Sequence, residues 1–314
     1  MGLLRDLLIV RRAEERLITM FADGEVPGFI HLSIGQEAVS VGVMRALTAE
    51  DTIASTHRGH GHAIAKGMPL EGFFAELLAR NEGLCRGRGG SMHVADMSVG
   101  MLGANGIVGA GLAIALGSAL AHKTLGRKAV AVAFFGDGAL AEGLFHECMN
   151  LAALWKLPIL FVCENNGWGE FRRTSEQLTF ALGDLASAYR IPHRLIDGND
   201  VVAVADAADE IVQVIRAGGG PSVLECMTAR VRGHFEGDAQ KYRDPAELGA
   251  VAERDPIRVA CERLAASGVN DVDLEGLTRE VDGVIEAAVA AARRGSDPDP
   301  VAALRDVYTV GAKA

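Results

Sequence analysis

The chain has 314 residues, of which 49% are hydrophobic and 23% charged, with 31 Lys and Arg against 41 Asp and Glu for a net charge of −10. That composition excludes a disordered chain, and an acidic balance without a basic run excludes the electrostatic footprint of a nucleic-acid binder. Glycine stands out at 38 residues, so many tight turns and close backbone approaches are expected.

The opening MGLLRDLLIVRRAEERL reads as an amphipathic helix in which Arg5, Asp6, Arg11 and Arg12 break the apolar run. It lacks the continuous apolar core of a signal peptide, and Asp6 spoils a myristoylation signal. A loop from Gly28 precedes helical periodicity from Gln36 to about Leu47. Between Ile53 and Gly111 the clusters HRGHGH, CRGRGGSMH and GANGIVGAG predict long functional loops in place of regular structure. A small-residue helix from Ala110 then leads into the apolar strand AVAVAFF, stopped by Gly136-Asp137-Gly138. A helix over about Glu142–Trp155 and the strand ILFVCEN follow, the latter stopped by Asn165-Asn166. Next come a helix over Leu182–Tyr189, the strand HRLIDGND, a helix over Val201–Ala217 and the strand SVLECMTARV.

Buried strands alternating with helices predict an α/β fold, a parallel sheet covered by helices on both faces. The α/β domain, with its N-terminal helical layer, is expected over residues 1–244, and a helical extension over 245–314. The longest weakly polar stretch, Ile107–His122, is too short and glycine-rich to span a membrane, so no membrane partner is expected. Five widely spaced cysteines without a CxxC pair fit a reducing compartment, and a cytoplasmic location is expected.

In an open parallel sheet, ligands bind beyond the carboxyl ends of the strands. Two successive predicted strands end there in Gly136-Asp137-Gly138 and Asn165-Asn166, bringing a carboxylate and an amide oxygen to one edge. These are hard donors suited to magnesium, which keeps few protein ligands and completes its octahedron with phosphate oxygens and water. The glycines around Asp137 are expected to allow a sharp turn and a close phosphate approach. A lone GDG is equally a solvated turn; the spacing, 26 residues (139–164) between GDG and NN, is the more specific signal.

That spacing resembles the thiamine diphosphate signature. The whole chain, from about Leu8 to Tyr308, resembles the α subunit of the thiamine-dependent first component of 2-oxo acid dehydrogenase complexes, in the branch with pyruvate and acetoin dehydrogenases. The resemblance is carried by FIHLSIGQEA, STHRGHGHAIAKG, GRGGSMH, GANGIVGAG, GDG through NN, and RGHFEGDAQKYR. It implies a thiamine diphosphate-binding fold, the diphosphate-binding half of a site completed by a homologous β subunit in an α2β2 heterotetramer. It also implies magnesium held by Asp137, Asn166 and the Trp168 carbonyl. His57, Arg58, Gly106, Val108, Gly136, Gly138, Ala139 and His234 would contact the cofactor, and His31, His57, His60 and His234 are candidates for the reaction. As alternatives, Arg58 suits a surface ion pair, Gly106 and Val108 a turn and a core side chain, and the histidines structural anchors. His57, His60 and His62 at close spacing also resemble a metal site, but without a nearby carboxylate or cysteine the signal is weak.

The implied chemistry cleaves a carbon–carbon bond beside a carbonyl of an acyloin or a 2-oxo acid and passes the acyl unit to a lipoyl acyltransferase component. Biosynthetic acyl transfer to another electrophile and a non-catalytic assembly role are the alternatives. Phe235 stands where the eukaryotic pyruvate branch carries a phosphorylatable serine, so no hydroxyl is present for a kinase. Two departures bear on the substrate: Leu140-Ala141 remove an amide beside the diphosphate, and Gly169-Glu170-Phe171 replace small polar residues.

Overall fold

The computed structural model describes residues 1–305. In chain order the elements are α1 (Gly2–Ala22), α2 (Glu37–Arg45), β1 (Thr52–Ala54), α3 (His60–Ala65), α4 (Leu70–Leu77), β2 (Met101–Gly103), α5 (Ala110–Thr124), β3 (Ala131–Gly136), α6 (Gly143–Leu154) and β4 (Ile159–Asn165). They continue with the short β5 (Trp168–Gly169) and β6 (Arg172–Arg173), α7 (Leu182–Ala188), β7 (His193–Asp197), α8 (Val201–Val214), β8 (Ser222–Met227), α9 (Pro245–Val251), α10 (Pro256–Ala266), α11 (Asp271–Arg293) and α12 (Pro300–Arg305). Six strands form one sheet in the order β2-β1-β3-β4-β8-β7, and every neighbouring pair is parallel.

The near-continuous apolar runs of β3 and β4 follow from burial on both faces. Because successive side chains point to opposite sides, Val132, Phe134, Leu160 and Val162 join one core with α1, α2, α8 and α11. Ala131, Ala133, Phe135, Phe161 and Cys163 join the other with α5, α6 and α7. Asp244, at the expected boundary, caps α9. Farther on, α11 lays Val281, Ile285, Val289 and Ala292 into the same core as α1. Residues 306–314 of the expected extension lie outside the described residues.

Three expectations are corrected. The glycine-rich span 53–111 is not all loop: it holds β1, α3, α4 and β2, whose strands of three residues leave no periodicity to read. The last strand ends at Met227, four residues early, because Thr228 Oγ1 turns to donate to Gly35 O at 3.1 Å and Val231 N to Ile34 O at 3.2 Å. Gln36 caps α2 from outside the helix.

What the glycines do is clearest in the loop after α4. The Glu76 carboxylate, fully buried, accepts from the backbone N–H of Cys85 (2.7 Å), Gly87 (2.9 Å), Gly89 (2.7 Å) and Gly90 (3.1 Å). The chain winds so closely around it that a Cβ at Gly83 would lie 2.5 Å from Glu76 Oε2. Gly87, at φ +71°, also needs the left-handed region.

Candidate active site

The strands β1 and β3 are neighbours, but the chain leaves β1 toward the β2 edge and leaves β3 toward β4. Such a reversal opens a crevice at the carboxyl ends of the strands. A cavity of about 410 Å³ lies there, lined by Ser55 to Arg58 after β1, Gly136, Gly138 and Ala139 after β3, and Glu164 and Asn166 at the end of β4. The Asn105–Gly109 loop, with Gly106 and Val108, forms one wall; His31, Gln36, Arg230 and His234 also line it.

Asp137 begins the turn after β3 and is fully buried. Its carboxylate accepts from Asn166 N at 3.2 Å and from the Thr174 hydroxyl, and burial pushes its pKa up to about 6. A buried carboxylate with that cost of ionisation is suited to a cation. Neither flanking glycine has positive φ, so the turn itself does not demand them; a Cβ on Gly138 would sit 3.1 Å from Gly169 Cα, whereas one on Gly136 would meet only Glu164 O at 4.0 Å. Asn166 Oδ1 accepts from Trp168 N at 3.0 Å, folding the segment so that residues 166 and 168 stay adjacent. The Trp168 indole is turned aside, donating to Glu247 at 2.8 Å beneath Arg173, whose guanidinium lies 4.7 Å from the ring centroid.

The cleft also has cationic lining. Arg58 donates to Leu32 O (2.8 Å), His234 O (2.7 Å) and His234 Nδ1 (3.3 Å). Arg230 donates to Glu170 O (3.0 Å) and Tyr242 Oη (2.8 Å). These guanidinium groups thus bond to carbonyls, a ring nitrogen and a hydroxyl, not to carboxylates. Burial and the charge of Arg230 bring Arg58 down to about 9, outweighing the opposing pull of Glu14 and Glu164.

Three imidazoles converge beside them, with centroids 4.8 Å (His31 to His57), 5.1 Å (His31 to His234) and 5.5 Å (His57 to His234) apart. Burial first and Arg58 next lower His31 to about 4, His234 to about 3, and His57 well below its ordinary value. All three are therefore neutral near pH 7. Because a guanidinium can only donate, His234 Nδ1 is its lone-pair nitrogen and Nε2 carries the proton. His234 is thus fixed as a hydrogen-bond donor.

Not every expected residue reaches the cleft. His60 is corrected: it is almost fully buried, its Nδ1 3.2 Å from Glu14 Oε1 and its Nε2 2.8 Å from Ser91 Oγ, tying α1 and α3 to the glycine loop. His62 points elsewhere again, to Ser55 Oγ at 2.7 Å and Glu164 Oε1 at 3.2 Å, stacked on Phe134. The HRGHGH histidines thus serve three different places. Sequence reasoning missed Gln36 and Arg230, and named Glu170 only as part of a departure bearing on the substrate. Arg230, buried inside the strand-like run SVLECMTARV, carried the one readable signal, a charge at a position expected to be apolar.

The donor set fits a magnesium diphosphate: Asn166 and two guanidinium groups line the cleft, and the buried Asp137 carboxylate lies between the lining residues Gly136 and Gly138. A diphosphate-binding α/β domain is the class that this fold and cleft define. The family pattern of the dehydrogenase E1 component matches residues 5–301. The chain is 47% identical over 306 residues to the acetoin:2,6-dichlorophenolindophenol oxidoreductase α subunit of Bacillus subtilis, covering 96% of this chain and 91% of that one. It is 46% identical over 309 residues to the Cupriavidus necator protein of the same description (97% and 92% covered). It is 40% identical over 301 residues to the pyruvate dehydrogenase E1 component α subunit of Rhizobium meliloti (94% and 85% covered). The chain belongs to the dehydrogenase E1 component family, as an α subunit and a thiamine diphosphate-dependent oxidoreductase.

Proposed function

We propose that this chain acts on a neutral acyloin of the acetoin type, as the α half of an α2β2 assembly with a homologous β subunit in the cytoplasm, and that the acyl unit passes to a lipoyl group on an acyltransferase. The observation that carries the substrate choice is the turn between β5 and β6. Its Glu170, at φ +57° and anchored through its carbonyl by Arg230, sets a carboxylate 3.8 Å from His234 Nε2. Beside it Phe171 packs edge-on to His234 at 5.5 Å. A 2-oxo acid carries its own carboxylate to this place and is repelled; a neutral hydroxyketone is not.

When bound, thiamine diphosphate supplies a nucleophilic thiazolium carbon and an electron sink. Asp137, the Asn166 side chain and the Trp168 carbonyl hold the metal, while Arg58 and Arg230 neutralise the diphosphate. Gly106 and Val108 back the pyrimidine, with Gly136, Gly138 and Ala139 allowing close approach of the backbone. His234 donates from Nε2 to the substrate oxygen that gains charge, and His31 and His57 complete the donor wall. A hydrogen bond aimed at developing charge acts mainly in the transition state.

Steady-state assays of the α/β assembly with acetoin and with pyruvate, read by dye reduction, test the reading. Acetoin is expected to have the higher kcat/KM. Glu170→Gln is expected to shift the ratio toward pyruvate roughly fivefold, the effect of about 1 kcal/mol of exposed charge repulsion at 4 Å. Preference for pyruvate in the native assembly with an unmoved ratio in the variant refutes it.

A further inference from the structure

Gln36 belongs to none of the roles above, yet its side chain is almost fully buried and lines the cleft. The orientation of its amide follows from a donor that cannot be reversed. The backbone N–H of Trp168 donates to the Asn166 side chain at 3.0 Å, so the oxygen of Asn166 faces Trp168. The NH2 of Asn166 is thereby turned to Gln36 at 3.1 Å, and only the Gln36 oxygen can accept it. The Gln36 NH2 is left as the other end, and Nε2 is buried without a hydrogen-bond partner. A buried donor without an acceptor is uncommon and marks a place where a ligand oxygen completes the network.

We propose that Gln36 is a two-ended positioning residue. Its Oε1 holds the Asn166 amide so that Asn166 Oδ1 keeps a lone pair for the divalent cation, and its Nε2 donates to an oxygen of the anion bound beside that cation. The proposal rests on Asn166 being a metal ligand. The GQEA segment thereby acquires a physical role, since the cap of α2, on the helical layer, reaches across to the end of β4 and sets the orientation of a ligand there. Without this partner the Asn166 amide is held by the Trp168 N–H alone, one hydrogen bond in place of two, and its oxygen is less firmly placed for the cation.

The test uses the full chain, with manganese as the metal probe and inorganic pyrophosphate as the anion, followed by electron paramagnetic resonance of free manganese and by titration calorimetry. Gln36→Leu removes both ends and is expected to weaken manganese binding roughly tenfold, the lower range for the loss of a partner behind a metal ligand. Gln36→Glu retains an acceptor for Asn166 and is expected to stay within about twofold for manganese, yet to lose roughly tenfold for pyrophosphate in the presence of manganese, because an anion replaces the donor. Circular dichroism and the melting temperature of each variant establish that it is folded. Asn166→Ala separates the two levels: if it leaves manganese binding unchanged, the metal reading fails. If Asn166→Ala weakens binding and Gln36→Leu does not, the positioning role is overturned alone. Unchanged pyrophosphate affinity in Gln36→Glu overturns the donor end.

Discussion

Two loops are each wound around a carboxylate: the one after α4, outside the lining of the cleft, and the one that carries His234 into it. Glu76 is fully buried on a helix and takes four backbone N–H groups from 85–90, saturating both oxygens. Asp238 is half-buried within its own loop and takes the backbone N–H of His234 (2.8 Å) and Gln240 (2.9 Å) and the Tyr242 hydroxyl (2.6 Å). The first loop closes on a carboxylate carried by a helix outside it and the second on a carboxylate of its own, with outward ties from Glu236 N to Ile30 O at 2.9 Å and from Arg58 to His234 O at 2.7 Å. The second unit carries His234 and holds Arg58 through its carbonyl. Chemistry is thus placed on the loop whose anchor travels with it.

The sharpest way to break this comparison is Glu76→Ala. It orphans four backbone donors at once, and with each unsatisfied buried group costing about 1–3 kcal/mol the loss of stability is expected to exceed about 3 kcal/mol. Urea unfolding of the full chain measures it. Asp238→Ala is expected to cost only about 1 kcal/mol, since water reaches its loop, while turnover of the α/β assembly falls roughly 100-fold as His234 loses its placement. Equal stability losses in the two variants would contradict the distinction.

A smaller effect sharpens it through pH. Unfolded histidine titrates near 6.5, whereas His31 is held to about 4 and His234 to about 3 by burial and by Arg58. Below pH 6.5 the unfolded chain therefore binds protons that the folded chain refuses, so stability falls as pH drops from about 6.5 toward 4. Asp238, whose lowered pKa reflects the Tyr242 and backbone hydrogen bonds that outweigh its burial, loses its contribution only at still lower pH. Amide protection, corrected for intrinsic exchange rates, should decline in 233–243 before it declines in 85–90. His31→Gln and His234→Gln should each flatten the melting-temperature profile between pH 6.5 and 4.

Much of this was legible in the sequence, for physical reasons. The strands β3 and β4 are apolar on both faces and end in residues that cannot continue a buried strand, so both their extent and the ligand edge are read from the chain itself. The strands β1 and β2 were not legible: three residues carry no period, and partners distant in sequence define them. Asp137, Asn166, Arg58, His31, His57 and His234 all come to the cleft or its edge as the motifs implied. His60 does not, since a spacing of two or three residues cannot say which way each side chain turns at the start of a short helix. Gln36 was invisible because its importance lies in an amide orientation that only the Trp168 N–H determines.

The winding of the chain around Glu76 also gives the molecule a built-in chemical clock. Cys85 lies in that loop, its thiol directed to the carbonyls of His93 (3.7 Å) and Ala95 (3.6 Å) and pushed up by burial and by the adjoining Glu76 carboxylate. Cys148, Cys163 and Cys226 are buried in the core, and Cys261 is half-buried on α10. Cys85 is half-buried, and because an alkylating reagent reacts with thiolate, its raised pKa sets the pace of modification. In a chain with Cys261→Ser, the time course of a single mass increment then reports how firmly the loop around Glu76 holds that thiol covered and protonated.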